Sequence, residues 1–142
     1  TQNSQNGSTD SLVMYCFAKT SGLIGIGTYV GNGNADGPYV VCDDGASGFR
    51  PAWVWVKRLG ETNWGLFDAT RSPYNPVDDY FTTDDTGVEA TSNADRRFDF
   101  LSNGFKAVGT GGVVNTSGST YLYMAFAEFP FGGSGVAQAR AR

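Results

Sequence analysis

Residues 49–58, FRPAWVWVKR, alternate so strictly that an extended strand is the only regular structure that suits them. A period of two puts Trp53 and Trp55 on one face and Ala52, Val54 and Val56 on the other. Both faces are apolar, which predicts a strand in the middle of a sheet, either covered on both sides or bearing an open aromatic platform. For Trp53 and Trp55 the expectation is core, the usual place of tryptophan in such a strand.

Shorter runs of the same kind follow one another along the chain, at 22–31, 38–42, 64–69, 97–101, 104–108, 113–114 and 120–128. Between them lie turn-forming strings such as GNGNADGP at 31–38, SNG at 102–104 and NTSG at 115–118. The run at 64–69 reads as the hairpin partner of the Trp53 strand. With 20 glycines, 14% aromatic residues and no helical period, the chain is expected to be all-β. The fold predicted is a single β-sandwich of jelly-roll type, with eight or nine short strands, Gly-rich turns and one long loop at 70–95. Its core is expected to draw on Trp53 or Val54, with Phe67, Phe98, Phe100, Phe105, Leu122, Met124 and Phe126.

Residues 11–19, SLVMYCFAK, resemble 120–128, TYLYMAFAE, and each follows a Gly-Ser-Thr turn. Segment 1–19 is therefore read as a loop and strand that either ends a preceding repeat unit or begins this sandwich. Residues 20–133 form the β-sandwich domain, and 134–142 a C-terminal tail. The polar run that opens at Thr1 reads as a loop entered in the middle of a longer polypeptide.

At 142 residues the chain is long enough to bury one core without staples. Cys16 and Cys42 each lie in an apolar run; a disulfide between them is one reading, and two small buried side chains the preferred one. Net charge is −4 with only ten scattered Lys and Arg, so no nucleic-acid partner is expected. Histidine is absent, which removes Ser-His-Asp and Cys-His catalysis. No apolar run approaches the ~20 residues of a membrane-crossing helix, nothing resembles a signal peptide, and no membrane insertion is expected.

Several constellations carry possible chemistry. Asp43-Asp44, Asp78-Asp79 and Asp84-Asp85 are expected to cap turns; if Ca²⁺ binds, Asp78, Asp79, Asp84 and Asp85 are the group to hold it, and no other cofactor is expected. Asp68, Glu89, Asp95, Asp99 and Glu128 are available to a glycosidase, yet spacing singles out no pair, so no catalytic residue is assigned. Trp53, Trp55, Trp64, Tyr74 and Tyr80 could stack on sugar rings, and Tyr74, Tyr80 and Trp64 are the candidates for a glycan site. Arg50 and Arg71 are expected in structural ion pairs with Asp68 or Asp99.

Six motifs in fixed order, YVGNG at 29–33, GFRPAWVWVKR at 48–58, NWGLFDATR at 63–71, DFLSNGFK at 99–106, VNTSGSTYLYMAFAE at 114–128 and PFGG at 130–133, carry a family likeness. Together they resemble a domain at or near the C-terminus of tailed-bacteriophage virion proteins, common in marine phages, of tail-fibre, structural or lectin-like type. The chain departs from that pattern at Phe129 and in the tail 134–142. The resemblance implies a non-enzymatic structural module of the virion, assembled in the host cytoplasm, in a tail fibre or surface appendage. Its partners would be other virion proteins, copies of itself and a host-surface glycan receptor. A carbohydrate-binding, lectin-like module is the alternative, and a glycan depolymerase a weaker one.

Overall fold

A computed structural model describes residues 11, 13–42, 48–60 and 64–130, and the alternating segments there become eight strands. They are β1 (Ile24–Val30), β2 (Tyr39–Val41), β3 (Pro51–Arg58), β4 (Trp64–Asp68), β5 (Tyr80–Thr82), β6 (Phe98–Leu101), β7 (Gly104–Ala107) and β8 (Thr120–Ala127). Every pairing is antiparallel, in a five-stranded sheet of order β1-β8-β3-β4-β5 and a three-stranded sheet of order β2-β7-β6. The result is the predicted all-β sandwich, with no helix among the described residues.

Aromatic rings fill the space between the sheets. Tyr80 stacks on Phe67 at 5.3 Å, Phe67 meets Phe98 edge-on at 4.9 Å, and Phe98 meets Phe105 edge-on at 5.2 Å. Phe105 then touches Tyr123 at 5.2 Å and Tyr29 at 5.9 Å, and Tyr29 lies flat on Tyr121 at 4.9 Å. Edge-to-face contacts of this kind add roughly 0.5–1.5 kcal/mol each beyond the area they bury. Gly27 of β1 is required here, since a Cβ on it would lie 2.9 Å from the Tyr123 ring. The ring passes over that bare position, and its hydroxyl donates to the Val41 carbonyl at 3.2 Å, tying β8 to β2.

Two expectations about the core need correction. In β8 it is Tyr121, Tyr123, Ala125 and Ala127 that face inward, so Leu122, Met124 and Phe126 lie on the other side. β3 likewise buries Val54 and Val56 and turns Trp53 outward. The buried set Val54, Phe67, Phe98, Phe100 and Phe105 agrees with the sequence reading. Val113 and Val114 are buried in a turn instead of a strand, and β5 forms inside the segment read as loop. Of the expected first strand, residues 13–19 form none; the tail 134–142 lies outside the described residues. Cys16 is exposed and Cys42 buried, both free thiols, so the packing role holds for Cys42 alone.

One buried polar side chain organises the loops at the end of the sandwich. The Asn115 Nδ2 donates to the Asn34 carbonyl at 2.7 Å, the Gly109 carbonyl at 3.1 Å and Asn32 Oδ1 at 3.1 Å, while its Oδ1 accepts from the Asn32 amide at 2.8 Å. Beside it the Tyr29 hydroxyl donates to the Val114 carbonyl and the Tyr121 hydroxyl to that of Gly112, both at 2.7 Å. Truncation leaves buried groups unpaired, each worth about 1–3 kcal/mol. Asn115→Ala should therefore lower unfolding free energy in urea by roughly 2–4 kcal/mol. Asn34→Ala, which removes one exposed acceptor for the Asp36 amide, should cost less than about 1 kcal/mol.

Candidate functional site

The outer side of the five-stranded sheet is apolar where a solvent-facing sheet is ordinarily polar. Antiparallel register assembles it in three rows. Ile24, Phe126, Trp53 and Asp68 stand opposite one another in the first. Ile26, Met124, Trp55, Leu66 and Phe81 make the second, and Thr28, Leu122, Lys57 and Trp64 the third. The rings touch across strands: Trp53 meets Phe126 at 5.2 Å and Trp55 meets Trp64 at 4.5 Å. Trp53 and Trp55 are thus half-buried on the open face and not in the core, because the inner positions of β3 are taken by Val54 and Val56.

Residues 13–18 run over this face without joining it as a strand. Phe17 packs edge-on against Phe126 at 5.7 Å, while Val13, Met14 and Tyr15 are each at least 80% exposed. Between segment and sheet lies a cleft of about 510 Å³, lined by Tyr15, Phe17, Trp53, Trp55, Leu66, Thr83 and Met124. Its polar fittings are few; the Trp55 indole N–H already donates to Thr83 Oγ1 at 2.9 Å.

Charges are confined to the rim. The Lys57 ammonium stands 5.3 Å from the Trp64 ring, and the Arg71 guanidinium 4.1 Å from that of Phe81. Arg71 also holds Asp68 at 2.5 Å and Glu89 at 3.0 Å, and Arg50 holds Glu128 at 2.7 Å. The expected pairing of Arg71 with Asp68 is present, whereas Arg50 takes Glu128. Partial burial pushes the Asp68 carboxyl pKa up, but the Arg71 amide and guanidinium and the Thr70 amide outweigh it and hold the pKa below the ordinary carboxylate value.

The candidates named from the sequence are dispersed. Tyr80 is buried against Phe67 with its hydroxyl bonded by Arg96, so it is a core residue and offers no ring to a ligand. Trp64 belongs to the outer face. Tyr74 is 84% exposed, on a loop that Asn75 pins to β6 through two hydrogen bonds to the Phe100 backbone. It borders a polar cleft of about 300 Å³ with Arg71, Ser72, Asp78, Asp79 and Ser92. Asp85 accepts from the Gly87 amide and so caps its own turn as expected, whereas Asp79 accepts from the Ser92 amide and Asp84 from that of Trp64, tying together segments distant in sequence. The four aspartates are not brought together, and among the described residues no three acidic, Cys or His side chains gather as a metal site. Asp43 and Asp44 lie outside the described residues.

A family model described as "Domain of unknown function (DUF7483)" matches residues 1–130. No curated protein and no solved structure matches the chain.

The folded Asp68 carboxyl has the lower pKa, so its contribution to stability is complete above the unfolded value of about 3.9 and is lost as pH falls through the folded one. Asp68→Asn should cost about 1 kcal/mol in urea unfolding at pH 7. That difference from wild type should close as acid is added below about pH 3.9. A gap that persists in acid would assign the loss to packing instead of charge.

Proposed function

The chain belongs to the DUF7483 family, and we propose that it acts as a non-enzymatic structural module of a bacteriophage virion, in a tail fibre or another surface appendage, joined to copies of itself and to other virion proteins. The six ordered motifs supply the phage setting. The observation that carries the module reading is the outer sheet face, where Trp53, Trp55, Leu66, Met124 and Phe126 form one apolar surface with Lys57, Asp68 and Arg71 at its rim. An apolar centre with a polar border is the form of a protein contact, and aromatic residues and Met are the types enriched there. Three of the five carboxylates offered to catalysis are engaged in ion pairs instead, Asp68 and Glu89 with Arg71 and Glu128 with Arg50.

Light scattering on the wild-type chain should report an oligomer. Leu66→Glu sets a charge in the middle of the face without touching the core and should weaken association at least tenfold, with circular dichroism unchanged. A wild-type chain that stays monomeric and has no neighbour contact in the particle overturns the reading.

The carbohydrate-binding alternative draws support from a different place, the polar cleft where Tyr74 stands exposed beside Asp78 and Asp79. A pyranose needs a flat ring to stack on and acceptors for its hydroxyls, and that cleft offers both. Under this reading, glycan-array binding is lost in Tyr74→Ala and kept in Leu66→Glu. Release of reducing ends from host polysaccharide would instead mark a depolymerase.

A further inference from the structure

At the free edge of β1 a backbone ladder is begun and left unfinished. Thr20 and Ile24 exchange both backbone hydrogen bonds, at 2.9 and 2.8 Å, which is the first rung of an antiparallel hairpin. On its other side β1 is bonded to β8, with Leu23 and Gly31 accepting and donating just beyond its two ends. Alternation then directs the N–H and C=O groups of Ile26, Thr28 and Val30 away from β8, and no described strand takes them up. Alongside lies a slot of about 470 Å³, lined by Gly27, Thr28, Tyr29, Tyr39, Val41 and Tyr123.

Residues 13–18 have the pattern such an edge requires. They are apolar at both parities; on the outer side of the edge the row begun by Ile24 and Ile26 is apolar, and on the inner side the tyrosine rings of the slot offer surface to the alternate side chains. Val13 is 80% exposed, Met14 83% and Tyr15 81%, and none of the three has a backbone partner among the described residues. Within one chain the segment leaves the edge after a single rung, and Phe17 turns onto Phe126.

We propose that the β1 edge receives residues 13–18 of a second copy of this chain, exchanged reciprocally. The existing rung sets the register: Ala18 opposite Ile26, Cys16 opposite Thr28, and Met14 opposite Val30. This rests on the reading of the chain as an assembling module and names its partner strand. Opening the turn 21–23 frees the segment to reach across, and exchange of an identical element is a low-cost route to a dimer. It also removes an unpaired strand edge from solvent.

Hydrogen-bonded antiparallel partners stand about 5.5 Å apart at Cα, inside the ~4.4–6.8 Å range of a disulfide. Thr28→Cys, combined with the native Cys16 and treated with oxidised glutathione, should therefore give a covalent dimer on non-reducing electrophoresis, with the 16–28 linkage found by peptide mass spectrometry. The dimer should vanish in Cys16→Ser/Thr28→Cys; Cys42 is fully buried and takes no part. A 16–28 disulfide within one chain overturns the inference by showing that the segment closes on its own edge. An oligomer by light scattering without the 16–28 link overturns it too, while leaving the module reading in place. A monomer without the link removes both.

Discussion

The structure depends on a run of aromatic rings that passes from one sheet to the other. Phe98 and Phe105 of the small sheet wedge between Phe67 of β4 and the tyrosines of β1 and β8. Most of these contacts are edge-to-face, so each ring is held by the orientation of the next. Because the inner faces of β1, β3, β4 and β8 are committed to this packing, their outer residues need not contribute to the core. The tryptophan-rich face is available for contact because something else already holds the sheets together.

A second constraint fixes the loops to that core. Asn115 is a buried amide whose donors and acceptor are all matched, and it draws 32–34 and Gly109 around itself. Tyr29 and Tyr121 extend the same device, with rings in the hydrophobic stack and hydroxyls on the carbonyls of Val114 and Gly112. Buried polar groups of this kind are costly when half satisfied and rigidifying when complete. Here they are complete.

How far the fold was legible depended on whether a strand has one apolar face or two. β4, β6 and β7 are short and bounded by turn residues, so their buried phenylalanines could be named from spacing, although β4 also carries Trp64 and Leu66 on its other face. TYLYMAFA in β8 is largely apolar at both parities, and what decides the matter lies outside the strand: Tyr121 and Tyr123 go inward, where the Gly112 carbonyl of the preceding turn and the Val41 carbonyl of the other sheet accept their hydroxyls. The tryptophans of β3 were ambiguous for the same reason. β5 is three residues long and lies between acidic pairs, which hid both the strand and the burial of Tyr80. Among site residues, the Arg71–Asp68 pair is local and could be foreseen, whereas the outer face needs five strands in register before it exists.

The placement of β1 beside β8 has a mechanical consequence. The first and last of the described strands are neighbours joined by seven registered pairs, and Leu23 sits against Ala127 at the end where both open. Tension between the two ends would act on that shared end and peel the strands apart one rung at a time. The load would not shear the whole ladder at once, and it would reach the Tyr29–Tyr121 stack only after the rungs from Ile24 to Thr28 had parted. Under pull, such a domain hangs to the side of the line of force and yields from its open end, giving up the rungs nearest Leu23 and Ala127 before the ring stack at the far end is strained.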